Sequence, residues 1–352
     1  MIVFTPSRDS GDADRTLATL ARPRLDPLFF ASRIQRLQRM SSAYKDYCAP
    51  PWASRNLHIT PEISYQSELW LPLDQLRPHF YSLYRQALTS QPIFSSTPFA
   101  QGASWAAIVA GFPTFLEHLE YPADLLEQLV DDEDLRLKFL FWSFMPERFY
   151  GSGSNRYPEQ SAVIAEWTRQ TKFRDKRLRC LDAASGDGAN TYALTSLLSE
   201  QGWFPDRYEI EGWTLEPLEA WAAAQGHFPH DQARELVFRE ETQVCFEQGY
   251  DTAIRFCSVN ILNAPQVEPF DLILCNGLLG GPIIHVLADM NAVVRKLAGF
   301  LEPGGILLAA DHFHGGWKQK CPQWELRALF EKNGLIPIEV REGVGGLAPK
   351  TG

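Results

Sequence analysis

The sequence predicts an α/β protein: a mainly parallel, doubly wound sheet in its second half, preceded by a mostly helical domain. Three observations predict it. Short apolar runs between Leu178 and Val340 alternate with helical stretches, the rhythm of a parallel sheet covered on both faces. One such strand, residues 178–181 with Asp182 behind it, enters a bend of very small residues, Ala183, Ala184, Ser185, Gly186 and Gly188, and then a helix over about 190–200. Residues 1 to about 145 lack this rhythm, are frequent in proline and aromatics, and show helical spacing wherever they are regular.

The helical domain is assigned to residues 1–145. Leu28, Phe29, Ile34 and Leu37 mark one helix, and Leu73, Leu76, Phe80, Leu83, Tyr84 and Leu88 mark another at i, i+3, i+4 spacing. Residues 88–102 form a loop by their Ser, Thr, Pro and Gly content, and a helical stretch over 115–144 breaks near Pro122. The second domain, residues 146–342, opens on a helix that Pro158 starts and that runs to Thr168. After the first strand and its helix come a strand over 208–215, a helix over 220–225, and strands over 253–259 and 270–275. A helix over 283–301 stops at Pro303, Gly304 and Gly305, and a strand over 306–310 follows. Asn333 and Gly334 end a helix over 324–332. Residues 335–340 are the last expected strand, and the Gly-rich residues 343–352 are expected to be a flexible tail.

Composition narrows the function classes. With 352 residues, 45% hydrophobic and 22% charged, the chain can bury a sizeable core. A net charge of -10 argues against nucleic acid as a partner, and the basic run over 172–179 reads as a solvated approach to the first strand. Six cysteines show no paired or metal-ligand spacing, so no metal is expected, and buried thiols suggest a reducing compartment. The N-terminus lacks a signal peptide's apolar stretch and no run is long enough to insert in a membrane, so the expected location is cytoplasmic.

The small-residue bend carries the chemistry. It lacks the lysine and spacing of a phosphate loop, and neither register of the dinucleotide pattern is complete, since Ala184 stands at the first glycine of one and Thr191 at the last glycine of the other. The spacing Asp182-x-x-x-Gly186-x-Gly188 fits a loop for S-adenosyl-L-methionine (SAM), with Asp182, Ala184, Ser185, Gly186, Gly188, Asn190 and Thr191 as candidate contacts. At the end of the second strand, Glu216 either receives the paired hydroxyls of a cofactor ribose or is a solvated turn acid, with Thr214 on the same face. Asn260, followed by Ile261, either addresses an adenine edge or ends the third strand. Asn276 and Gly277 open a glycine-rich loop over 276–281 that lets a ligand approach the backbone.

Residues 147–340 resemble the SAM-dependent methyltransferases, in detail the chemotaxis-receptor glutamate methyltransferases (CheR). Residues 183–194 (AASGDGANTYAL) are similar to the family's A-x-S-x-x-G-E-E-P-Y-S-L, with Tyr192 in register. Residues 256–262 (FCSVNIL) are similar to F-x-x-x-N-L-L, and residues 270–279 (FDLILCNGLL) to F-D-x-I-F-C-R-N-V-L. The resemblance implies a class I methyltransferase sheet, Rossmann-like, with SAM as cofactor. It also implies a carboxylate acceptor, such as a protein glutamate on a chemoreceptor-like partner. Tyr192 and Arg156 are then the candidate catalytic residues, Arg156 standing in for the acceptor-side arginine across a short insertion.

The departures concern the acceptor. The aromatic pair of the family's fourth-strand loop is replaced by Gly280 and Gly281, and the segment 226–260 is shorter than the family's receptor-docking subdomain. An ionised carboxylate acceptor needs no general base. Asp187, His285, His312 and His314 are the candidates if the acceptor is a hydroxyl or an amine. Two further readings therefore stand beside the first: a small-molecule O- or N-methyltransferase, and a SAM-binding sensor or scaffold without catalysis.

Overall fold

In the central strands Leu178, Cys180, Leu272, Leu274, Ile306 and Leu308 belong to one buried cluster, and Leu181, Ile273 and Leu307 to another. This period of two, apolar on both faces, is the signature of strands buried from above and below. A computed structural model describes residues 1–145, 157–170, 176–281, 284–310 and 321–350. The chain divides into a sheet unit, Met1–Ala13 with Phe149–Gly352, and a helical unit, Asp14–Arg148.

The sheet unit holds eight strands: β1 (Ile2–Phe4), β2 (Leu178–Asp182), β3 (Tyr208–Thr214), β4 (Ile254–Ser258), β5 (Phe270–Leu274), β6 (Leu301–Ala309), β7 (Ile336–Val340) and β8 (Gly343–Leu347). Their spatial order is β1-β4-β3-β2-β5-β6-β8-β7. The ladders β2–β3, β2–β5, β3–β4 and β5–β6 are parallel, whereas β1 and β8 run antiparallel to their neighbours. Helix Leu287–Ala298 supplies Met290, Val293, Val294 and Leu297 to one face, and helix Gln323–Lys332 adds Leu326, Leu329 and Phe330. Helices Pro158–Gln170 and Ala189–Glu200 cover the other face through Ile164, Trp167, Leu194 and Leu198. The sheet is doubly wound, as its apolar alternation requires.

This topology has one switch point. From β2 the chain steps outward through β3 to β4, then returns to the other side of β2 as β5. In open α/β sheets the crevice at the carboxyl ends of the two strands flanking such a reversal is where ligands bind. Here it lies between the loop after β2 and the loop after β5. Sequence and topology therefore converge on residues 183–188.

Three expectations need correction. The Gly-rich residues 343–347 are no tail: they form β8, paired on both sides, with Val344 in the core. Glycine suits that slot because a Cβ at Gly343 would stand 2.0 Å from the Ala309 carbonyl oxygen. Residues 2–4 belong to the sheet rather than the helical domain, pairing Val3 with Cys257. Between β3 and β4, helix Gln232–Glu247 fills a stretch in which the sequence signalled no element; most of it is solvated, and it buries Phe238, Thr242 and Cys245.

In the helical unit, Asp26, Thr60, Ser104 and Asp132 each accept a hydrogen bond from a backbone N–H in the first turn of the following helix, the usual satisfaction of helix-start donors. The stretch expected over 115–144 is two helices, Pro122–Asp131 and Glu133–Phe144, separated by the Asp132 cap. Its core is aromatic, with Phe80 stacked on Phe99 at 4.1 Å and Tyr84 on Phe139 at 5.9 Å. Buried Tyr84 donates its hydroxyl hydrogen to Ser143 Oγ at 3.0 Å.

Candidate functional site: the bend after the first parallel strand

β2 ends inside the sheet, so Asp182 is fully buried between Gly212 of β3 and Leu274 of β5. Its Oδ2 accepts the Thr191 hydroxyl hydrogen at 2.9 Å, while its Oδ1 has no partner. Burial pushes this carboxyl up to about 6, against the opposing effects of the Thr191 hydroxyl and the Ala184 N–H. Ser185 is also buried, with an unpartnered Oγ. Buried polar atoms left without partners are rare in folded chains, and two at one bend make it a candidate place for a polar ligand.

The bend itself is shaped by left-handed backbone at Gly186 (φ +53) and Gly188 (φ +87). Ser185 N–H donates to Trp213 O at 3.0 Å and Ala183 N–H to Leu274 O at 2.7 Å, which ties the loop to both neighbouring strands. Asp187, between the glycines, accepts from Ala189 N–H at 3.2 Å at the head of the following helix. Its Oδ2 also receives Arg234 Nε at 3.1 Å and Nη2 at 2.5 Å.

Beyond β3 the sequence named Thr214 and Glu216. Glu216 is the N-cap of helix Pro217–Gln225, its Oε1 accepting from Leu218 N–H at 3.2 Å. That helix-capping role was neither of the two anticipated. Thr214 donates its hydroxyl hydrogen to Glu219 Oε2. Glu219 is the residue that sequence reasoning missed. Its Oε1 stands 3.8 Å from where a Cβ on Gly186 would lie, so it faces the bend. A signal was present: Pro217 at the first helical position puts Glu219 in the opening turn, which returns toward the strand end. Burial pushes Glu216 up to about 8 and Glu219 up to about 7, the latter partly offset by the Thr214 hydrogen bond. Glu216 and Glu219 both keep part of their surface in solvent, so their shifts weigh less than that of the wholly buried Asp182.

Other expected residues take different roles. Asn260 is exposed and caps a short turn, accepting from Leu262 N–H at 3.1 Å, with Ile261 buried beside it. Asn276 exchanges two hydrogen bonds with Gln160 (3.1 and 2.9 Å), which fixes helix Pro158–Gln170 against the end of β5. Gly277 has φ +74 and donates its N–H to Ala310 O at 2.7 Å. Asn276→Ala should cost about 1–3 kcal/mol by leaving the buried Gln160 amide unpaired; chemical denaturation would measure it. A double replacement by leucine should cost less than Asn276→Ala, since it removes both buried amides.

Tyr192 does not reach the bend. It is buried, its hydroxyl donates to Ala223 O at 3.1 Å, and its ring meets Phe238 edge-on at 5.4 Å and Phe256 at 5.6 Å. Desolvation pushes the phenol up, away from any proton transfer at neutral pH. The structure thus makes Tyr192 a packing residue, correcting its expected catalytic place. Arg156, Asp311, His312 and His314 lie outside the described residues, and His285 is exposed. Among the described residues no group of three His, Cys, Asp or Glu side chains could hold a metal, and no helix is long and apolar enough to cross a membrane.

No family model matches the chain. Over 218 residues it is 26% identical to a chemotaxis protein methyltransferase of Listeria innocua, covering 59% of this chain and 74% of that relative. Sheet order, bend and sequence support a divergent, CheR-like class I methyltransferase. It is also 21% identical over 298 residues to tenellin synthetase of Beauveria bassiana, covering 84% of this chain but only 6% of that protein. Among solved structures it is similar to the N-methyltransferase NodS of Bradyrhizobium japonicum bound to S-adenosyl-L-homocysteine. That likeness has 13% identity and a TM-score of 0.35, covering 62% of this chain and 100% of NodS. It is similar as well to the StiE O-MT fragment 942–1257, with 16% identity and a TM-score of 0.32; the chain covers 51% of itself and about half (52%) of that fragment.

The bend fits the cofactor of this family. Positive-φ Gly186 keeps a side chain off its surface, and the unpartnered Asp182 Oδ1 and Ser185 Oγ are free to bond a ligand. Thr214, Glu216 and Glu219 line the next strand end. SAM would be held by these residues and supplies, when bound, an electrophilic methyl on a positively charged sulfur.

Proposed function

We propose that the chain binds SAM at residues 182–191 with Thr214 and Glu219, and transfers its methyl to an oxygen or nitrogen acceptor, a carboxylate in the preferred reading. One observation carries it: two orphaned buried acceptors, on Asp182 and Ser185, at the bend that the sheet's reversal exposes. In such a displacement the protein aligns the acceptor, excludes water and removes no proton when the acceptor is already ionised. Asp187 is bound to Arg234, and in this reading the carboxyls of Asp182, Glu216 and Glu219 are cofactor contacts rather than bases. A carboxylate acceptor, such as a protein glutamate, accords with that, as does the chemotaxis relative. Methyl from labelled SAM should then appear in base-labile form on a protein fraction.

A second reading is a small-molecule methyltransferase. The match to tenellin synthetase is longer than the whole sheet unit, so it runs into the helical unit as well. A shared helical unit is what an acceptor-selecting module would leave behind. Turnover of a metabolite by the purified full chain, with no base-labile protein label, would favour it. Tight SAM binding without any methylated product in cell extract would leave only a binding protein, and absence of SAM binding would overturn both readings.

A further inference from the structure

We infer that Arg234 is a positioning residue for the cofactor bend, acting through Asp187; this rests on the bend being the SAM site. Asp187 is the only residue between the two left-handed glycines, so its carboxylate decides how the turn is held. Both of its oxygens are engaged. Oδ1 accepts from Ala189 N–H at the start of the next helix, and Oδ2 takes two guanidinium donors from Arg234. The pair is nearly dry, with side-chain exposures of 9% for Arg234 and 10% for Asp187, so the ion pair is little screened.

Arg234 is itself held from several sides. Its N–H is capped by Asp231 Oδ1 at 2.9 Å, and its guanidinium lies 5.4 Å from the Phe238 ring and 5.7 Å from the Phe228 ring. Glu241 Oε2 stands 3.9 Å from Nη1. The helix that bears it, Gln232–Glu247, is clasped in turn by the first residues of the chain. Arg8 bonds Thr242 and lies 4.3 Å over the Phe246 ring, while Ser7 N–H donates to Ala224 O of the neighbouring helix Pro217–Gln225 at 3.0 Å. A rigid lever therefore runs from the N-terminal strap through this helix to the bend.

There is also a charge argument. Asp182, Asp187, Glu216 and Glu219 are four carboxyls gathered at one sheet end, and Asp187 raises both Asp182 and Glu219 electrostatically. Arg234 neutralises the one that sits within the turn. Without it, the bend would carry an unpaired, nearly buried carboxylate and would relax toward solvent.

The test uses the full chain. Arg234→Gln should weaken SAM binding by calorimetry about tenfold or more, with faster amide exchange at residues 184–190 in ligand-free protein. Arg234→Lys should restore part of the affinity, since one ammonium keeps the charge but loses the two-donor fork. Asp187→Asn in the Arg234→Gln background should cost less than the two single changes added together. If Arg234→Gln fails to fold, Asp187→Asn alone carries the test through the same two measurements. Unchanged affinity and unchanged exchange in a variant, while the wild type binds SAM, would overturn the inference. A wild type that does not bind SAM would instead overturn the site reading on which it rests.

Discussion

Gly186→Val is expected to abolish SAM binding in a sheet unit that still folds, whereas Gly188→Val is expected to unfold it. The two glycines stand two residues apart and both have positive φ, yet their surroundings differ. At Gly186 the nearest atom to an added Cβ is Glu219 Oε1, 3.8 Å away, so there is room for the side chain. The folding cost is then the left-handed backbone alone, about 1–3 kcal/mol. The branched side chain would stand on the partly exposed surface of the bend, beside Glu219 and the unpartnered Ser185, where the cofactor must approach. At Gly188 a Cβ would lie 2.9 Å from Ala223 Cβ and 2.9 Å from Phe256 Cζ, both in the buried core. Overpacking adds to the backbone strain there, for about 2–6 kcal/mol in all, and the upper end of that cost matches the stability of a marginal domain, about 5 kcal/mol. Thermal melts and calorimetry on the two variants separate the cases. Undiminished SAM affinity in Gly186→Val would remove the bend from the binding site.

SAM affinity should rise with pH between 5.5 and 7.5, while the ligand-free protein becomes less stable over the same interval. Burial raises Asp182 to about 6, Glu219 to about 7 and Glu216 to about 8, from ordinary values of 3.8 and 4.5. Between the ordinary and the raised values the folded chain holds protons that the unfolded chain has released. The stability these groups contribute is thus fully present below about pH 4 and is lost as pH climbs through 6 to 8. Binding has the opposite sign. A positively charged ligand, or a ribose donating two hydroxyl hydrogens, favours the ionised acceptor, so protons must leave on association. If Glu219 is the acceptor, affinity gains at most about tenfold per pH unit below 7. Glu219→Gln should flatten that profile and weaken binding at pH 8 by about 1–3 kcal/mol. Calorimetry in buffers of different ionisation enthalpy would count the released proton; a flat wild-type profile would remove Glu219 from the site.

Much of the fold was legible because its physical causes are local. Near-continuous apolar runs such as Phe270–Leu274 suit strands buried on both faces, as in a helix-covered parallel sheet, and Pro158 marks a helix start because it offers no backbone N–H. β8 escaped notice because glycine carries no pattern; its strand state comes from hydrogen bonds to β6 and β7, which lie far off in sequence or follow a turn. Helix Gln232–Glu247 escaped because its outward face keeps Leu236, Val237 and Val244 exposed, which blurs the apolar stripe that betrays a helix. Tyr192 was misjudged for the reverse reason. Motif register placed it beside the bend along the chain, but the helix turns it toward Phe238 and Phe256.

By itself the sequence determined the parallel sheet and the small-residue bend after its first strand, and it pointed to that bend as a candidate ligand site, since these follow from side-chain size and alternation. Only the tertiary structure brought Glu219 to the bend, joined Arg234 to Asp187 and packed Tyr192 against Phe238 and Phe256. Glu219, Arg234 and Tyr192 owe those placements to neighbours 33, 47 and 31 residues away along the chain, namely Gly186, Asp187 and Ala223. Proximity of that kind is set by how helices settle on a sheet, and no local pattern encodes it.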